Sequence, residues 1–294
     1  MSETVVCRAA HAAARRWQDA AGEIVVGLGK LSREHRLGFV FVTEHYAHDI
    51  GEIEVFLRHT TGVPHWVGAA GMGVCGLRTE YFDQPAMSAM ALPIAKDGFR
   101  LYSDIVTGVE GVVEGNHDWL AAADPPLAIV HADPANAGIK TLVAQLADAA
   151  DSYLVGGLTS GQDGADQIAG GVTGGGLSGV FLSPHAVPVA VGLTQGCSPI
   201  GPAHTVTRAD GNILIELDDR PALQVFQGDI GDALARDLRR AGGHIFAALT
   251  VAGSDTGDYM VRNLMGVDRD NGLLAIGDVA VSYTHLRAHE TKAN

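Results

Sequence analysis

Cysteine is scarce in this 294-residue chain: Cys7, Cys75 and Cys197 are all there is. No C-x-x-C pair occurs, so the sequence offers neither a disulfide framework nor a structural zinc site. Lysine is scarce too, with only Lys30, Lys96, Lys140 and Lys292, and aromatic residues make up 6%. Positive charge is in deficit. Twenty Lys and Arg face 34 Asp and Glu, a net charge of −14. Such a field disfavours phosphate backbones and anionic lipid surfaces, so neither nucleic acid nor membrane is expected as a partner. No uncharged apolar run reaches about 18 residues, the length of a membrane-spanning helix. The start carries Glu3, Arg8, Arg15 and Arg16 and no apolar stretch of a secretory leader. A cytoplasmic chain is the expectation.

What is present is core material. Hydrophobic residues reach 47% and charged residues 18%, which favours a packed core over disorder. The 38 glycines imply many tight turns and close backbone approaches. The length allows one large domain or two ordinary ones.

The spacing of Ala12, Ala13, Trp17 and Ala20 predicts a first helix over 8–21. Gly38–Val42 reads as a buried strand, Asp49–His59 as an amphipathic helix, and His65–Ala70 as a strand running into glycines. Met87–Leu92 and Phe99–Ile105 read as further strands. The order then recurs: strand at Leu127–Val130, helix at Asn136–Ala150, strand at Tyr153–Gly157, strand at Leu177–Leu182. Aligning Phe39 with Leu127 also aligns Val67-Gly68 with Val155-Gly156, so residues 38–92 and 126–182 are expected to be two copies of one βαβ-β unit. The fold class is therefore mixed α/β, layered sheets with flanking helices.

Strands are also expected at Val187–Leu193, His204–Arg208 and Ile213–Leu217, with a hairpin turn at Ala209–Asn212. Helices are expected from Pro221 and from Ile230, a strand at Ile245–Val251, and two strands around Asp268–Gly272. A boundary near Asp218 divides an N-terminal module, 1–218, from a shorter one, 219–281. The string from Ser282, SYTHLRAHETKAN, looks like a translated sequencing adapter. Residues 282–294 are therefore expected to be a non-native tail, and His285 and His289 are given no metal role. The second module is then truncated, and the strand over 273–281 becomes an exposed edge.

Signatures of chemistry are few. Gly71–Gly76 matches G-x-G-x-x-G after a strand, but Leu77–Pro85 is a poor helix, so no dinucleotide site is expected. Gly174–Gly179 matches the same pattern and runs straight into a strand. Neither a P-loop nor a nucleophile elbow is present. His45, His48 and Asp49 have ligand-like spacing at a strand-to-helix loop, yet lack a third partner; Asp49 as a helix cap is the plainer reading. His131 and Asp133 fall where Thr43 and His45 lie in the first copy. Polar residues at the carboxyl ends of paired strands mark where ligands sit in α/β sheets. Cys197, just past a strand, is either a nucleophile with a neighbouring base or a small residue in a tight turn. Arg262, among apolar residues with Asn263, either holds an anionic ligand or pairs with an acid such as Asp255 or Asp258.

The run Val191–Pro202, followed by Thr205-Val206-Thr207, Gly211–Asp218 and Pro221–Leu223, resembles the FIST domain where its two modules meet. Phe39–Val42, Val67-Gly68 and Val155–Gly157 fit the N-terminal module. Arg262–Asp268 and Gly272–Asp278 look like the opening of the C-terminal one. The resemblance covers nearly all of residues 35–281. It implies a sensory module of signal transduction that binds a small molecule, with amino acids as proposed ligands and a partner protein as output. It transfers no catalytic residue and no cofactor.

The expected ligand-binding residues are Gly68, Gly156, Gly157, Thr159, Cys197, Ser198, Arg262 and Asn263. Two other readings stay open. One is a hydrolase or transferase using Cys197, which requires a base beside it. The other is an interaction scaffold, which predicts a flat apolar patch in place of a pocket.

Overall fold

The computed structural model describes residues 6–123, 126–160, 167–192, 197–235, 245–250, 259–278 and 285–291. The chain forms two compact units, Met1–Val189 and Ala190–Asn294. The division falls ahead of the position near Asp218.

The first unit runs β1 (Arg8–Ala13), α1 (Trp17–Leu28), β2 (His35–Thr43), α2 (Ile50–Thr61), β3 (His65–Gly71), β4 (Gly73–Gly76), β5 (Thr79–Phe82), β6 (Ala86–Pro93) and β7 (Phe99–Ile105). It continues with α3 (Glu110–Gly115), α4 (His117–Ala123), β8 (Leu127–Ala132), α5 (Ile139–Ala149), β9 (Tyr153–Leu158), β10 (Gln167–Ala169), β11 (Val172–Thr173) and β12 (Leu177–Leu182). One sheet has the order β1-β6-β2-β3-β10-β11, the other β7-β12-β8-β9. The order β1-β6-β2-β3 and the order β7-β12-β8-β9 are the same arrangement. Each has a parallel pair joined by a helix, an antiparallel strand beside it, and one more strand outside.

Strand alternation sorts the side chains into layers. Leu37 and Phe39 of β2 pack with Val67 and Leu92 against Phe99, Leu127, Val180 and Leu182 of the other sheet. Val40 and Val42 point the other way and join Ile24, Ile53 and Leu57 of α1 and α2. On the far side, Ala128 and Val130 pack under Leu142 and Leu146 of α5. The unit therefore has four layers: helices, sheet, sheet, helices. The mixed α/β class with layered sheets is the observed one. Trp66, fully buried on β3, needs Gly38 opposite, since a Cβ there would lie 2.4 Å from its ring. Buried polar ties cross the sheets at Gln167 of β10: Ser178 Oγ of β12 donates to its Oε1 at 2.5 Å, and its Nε2 donates to Gly176 O at 3.3 Å.

Helix ends follow the glycines. α2 stops at Gly62, whose left-handed φ of 75° returns its N–H to Arg58 O. The expected helix over 8–21 is corrected. Residues 8–13 pair antiparallel with β6, and the helix starts only at Trp17. Alanine fits either state, and the open edge of β6 decided. Val187–Gly192 forms no strand.

The second unit runs β13 (Cys197–Asp210), β14 (Ile213–Leu217), β15 (Arg220–Pro221), α6 (Ala222–Ala235), β16 (Ile245–Thr250), β17 (Tyr259–Asp268), β18 (Leu273–Ile276) and β19 (His285–Thr291). Its sheet order is β13-β19-β16-β17-β18-β14-β15, and β13 also pairs with β14, which closes the sheet on itself. Phe226 and Val225 of α6 fill it with Leu214, Ile245 and Leu274. Gly231, at φ 76°, breaks α6. One expectation differs here: β18 is an interior strand between β17 and β14, not an exposed edge. Residues 285–291 form a strand between β13 and β16.

Candidate functional site

The carboxyl ends of β2, β3, β8 and β9 converge between the two sheets and frame a cleft of about 350 Å³. Phe41 and Val42 come from β2, Ala69 to Gly71 from β3, Ile129 and His131 from β8, and Val155 to Ser160 from β9 and its exit turn. Gly73 and Val74 of β4 complete the wall. A second cleft of about 310 Å³ abuts it, sharing Phe41 and Ile129 and reaching Phe39, Cys75, Ser88 and Met90. Volumes of this order fall within the range of small-molecule sites.

The register explains why these residues meet. Val40 pairs with Gly68 in one sheet, and Val130 with Gly156 in the other. By this register His131 answers to Phe41 and Asp133 to Thr43, a shift of two from the alignment of the bare sequence. Phe41 and His131 then touch each other edge-on, ring centroids 5.4 Å apart at 79°. The turns behind β3 and β9 also meet, Met72 N donating to Ser160 Oγ at 3.2 Å. Matching positions of the two sheets thus meet at the cleft.

His131 is the chemically distinctive wall residue. It is 6% exposed, and burial pushes its pKa down to about 4, so the ring is neutral at pH 7. Its Nδ1 is buried with no hydrogen-bond partner. Thr159, also buried, donates from Oγ1 to Ala132 O at 3.3 Å. The remaining walls are aliphatic, aromatic or glycine backbone. Asp133 stands apart from this chemistry. Its two carboxylate oxygens accept the amides of Ala135 at 2.8 Å and Gly175 at 3.0 Å, holding the turn after β8.

The expected site residues divide between the units. Gly156, Gly157 and Thr159 line the cleft. Gly68 lies beneath it and does another job. A Cβ there would sit 1.6 Å from Val40 O, so glycine is what lets β3 approach β2; Gly156 stands 1.9 Å from Val130 O by the same test. At Gly157 a Cβ meets nothing within 4 Å. Cys197, Ser198, Arg262 and Asn263 belong to the second unit. Cys197 opens β13, half-buried, and among the described residues no hydrogen bond reaches its thiol. Arg262 pairs with Asp278, Nε to Oδ2 2.6 Å; Asp255 and Asp258, its expected partners, lie outside the described residues. Asn263 sits mid-strand in β17, its carbonyl accepting Gly277 N at 2.9 Å.

Other candidates resolve simply. Gly71–Gly76 opens the β4–β5 hairpin, with no helix to face a pyrophosphate. His45 and His48 lie in a 3-10 turn over Glu44–Asp49, and Asp49 precedes α2 without a side-chain cap bond. Among the described residues no group of three His, Cys, Asp or Glu side chains is placed to hold a metal, and no helix is long and apolar enough to cross a membrane. In the second unit His204 lies between two carboxylates, Nδ1 2.6 Å from Asp218 and Nε2 2.9 Å from Asp229. Both ring nitrogens are engaged, so neither is free to serve as a base. Sequence reasoning missed the opposite wall, Phe41, Val42 and Val74, because contacts between sheets leave no local pattern.

Comparison with known proteins adds the family. A FIST N domain model matches residues 36–220. An uncharacterized Mycobacterium bovis protein is 31% identical over 234 residues, covering 74% of this chain and 57% of its own length. An uncharacterized Mycobacterium tuberculosis protein gives the same figures, and another from that species is 31% identical over 226 residues, 72% and 57%. The chain thus spans little more than half the length of the curated relatives it matches. With the FIST N model spanning most of both sheets and their cleft, the chain belongs to the FIST N domain family.

Proposed function

We propose that this chain is a sensory module that binds a small molecule in the cleft between its two sheets and passes the event to a partner protein. The observation that carries the reading is the convergence of four parallel-strand carboxyl ends on one cleft with a buried, neutral His131 in its wall. Crevices at strand carboxyl ends are where open α/β sheets bind ligands. Family membership supports the same reading.

The arrangement also suggests how binding is converted into a signal. A ligand shifts a conformational equilibrium only through different affinities for the two states. Here the cleft is bounded by two sheets, and the Met72–Ser160 hydrogen bond joins the turns behind β3 and β9. A ligand that spans both sheets favours the state in which they are held together.

A thermal-shift screen of the whole chain against amino acids and common metabolites tests this. Amino acids enter because the family resemblance suggested them. A ligand at 100 times its Kd stabilises by about 2.7 kcal/mol, which is about 5–10 °C for a unit of this size. A shift from one chemical class that disappears in Gly157→Phe is the expected result. That variant fills open space beside His131 without a backbone clash. Shifts that survive it place the ligand elsewhere, and silence across the panel counts against the sensor.

A further inference from the structure

We propose that the occupant of this cleft is a neutral, largely apolar molecule with one hydrogen-bonding group, and not a zwitterion or an anion. The proposal rests on the cleft being the ligand site and names the chemical class that the site accepts.

Charge sets the first bound. Phe41, Val42, Ile129, Val155 and Leu158 supply apolar wall. No described lining residue is Lys, Arg, Asp or Glu, and His131 is uncharged at neutral pH. An amino acid brings an ammonium and a carboxylate, and each loses hydration on entry. A charge held against apolar wall is costly unless paired, and the described walls offer neither partner. The chain's net charge of −14 further opposes an anion.

Polar capacity for a neutral group sets the second. His131 Nδ1 is buried without a partner. β9 is the last strand of its sheet and pairs only with β8 among the described residues. Its outer backbone N–H and C=O groups therefore lack ladder partners beside the cleft. Thr159 and Ser160 hydroxyls are already engaged, with Ala132 O and Met72 N. A hydroxyl, amide or indole N–H suits this supply.

Size sets the third bound. At about 30 Å³ per water, 350 Å³ holds about a dozen waters, so a compact molecule of one or two rings fits.

Two fluorophores that differ by one charge test the class on the whole chain: N-phenyl-1-naphthylamine, neutral, and 8-anilinonaphthalene-1-sulfonate, its sulfonated counterpart. Indole and tryptophan serve as matched competitors. The neutral dye should bind at least tenfold tighter, lose binding in Gly157→Phe, and be displaced by indole but not by tryptophan at equal concentration. Val155→Lys, on the half-exposed wall, should lower affinity for the neutral dye and raise it for the sulfonate, with the far-UV circular dichroism of both variants unchanged. Equal or tighter binding of the sulfonate or of tryptophan, abolished by Gly157→Phe, overturns the class and leaves the site standing. Binding of either dye that ignores both variants overturns site and class together, as does no binding at millimolar dye.

Discussion

Lowering the pH should loosen the first unit through His131, and the size of the effect follows from its burial. In an unfolded chain histidine titrates near 6.5; in the fold this ring titrates at about 4. Between those values the unfolded chain holds a proton that the native one does not. Stability is therefore full above about pH 6.5, falls as pH drops towards 4, and loses nothing more from this group below that. At pH 5 the loss is about 2 kcal/mol, roughly one and a half units at about 1.4 kcal/mol each. For a unit of this size that is about 4–8 °C in Tm. The assay is thermal unfolding followed by tryptophan fluorescence at pH 7.5 and pH 5.0. Trp17, Trp66 and Trp119, the three tryptophans, all lie in the first unit and report on it alone. His131→Phe, which copies the equivalent Phe41, is the control. Because Nδ1 has no partner to lose, the variant should stay within about 1 kcal/mol of wild type at pH 7.5. Its Tm should then fall less on acidification, by the 4–8 °C derived above. Equal falls in the two proteins would refute the argument.

Two further outcomes follow from the packing. Gly68→Ala and Gly156→Ala force a Cβ against the carbonyls of Val40 and Val130 and should each cost about 1–3 kcal/mol or more by urea denaturation, whereas Gly157→Ala on the same strand should change stability by under about 0.5 kcal/mol. His204→Ala removes the partner of the mostly buried Asp229 carboxylate and should cost the second unit about 1–3 kcal/mol, read by far-UV circular dichroism because that unit has no tryptophan.

The parallel strands were legible because an apolar run such as Phe39–Val42 or Leu127–Val130 leaves little choice. Alanine-rich 8–13 was not legible: its side chains suit helix and strand alike, and only the waiting edge of β6 selects the strand. Short pieces such as β10 and β11 exist because β3 offers β10 an edge and β10 in turn offers one to β11, which no local pattern encodes. The same division holds for the cleft. Gly156, Gly157 and Thr159 follow from the rule about strand ends. Phe41 reads as core and is in fact a wall residue, 37% exposed, because what lies across from it belongs to a strand some ninety residues away. Gly68 shows the converse: a mid-strand glycine that serves strand approach and does not line the cleft. The pairing of Arg262 with Asp278, sixteen residues on, was not legible, because sequence spacing does not bring the two near.

The central claim is that a small molecule occupies the cleft beside His131. Isothermal titration of the most stabilising compound from the screen, into wild type and Gly157→Phe in parallel, tests it most directly. One site per chain is expected in the wild type, with at least tenfold weaker binding in the variant, its fold intact. Unchanged affinity in a folded Gly157→Phe protein would contradict it.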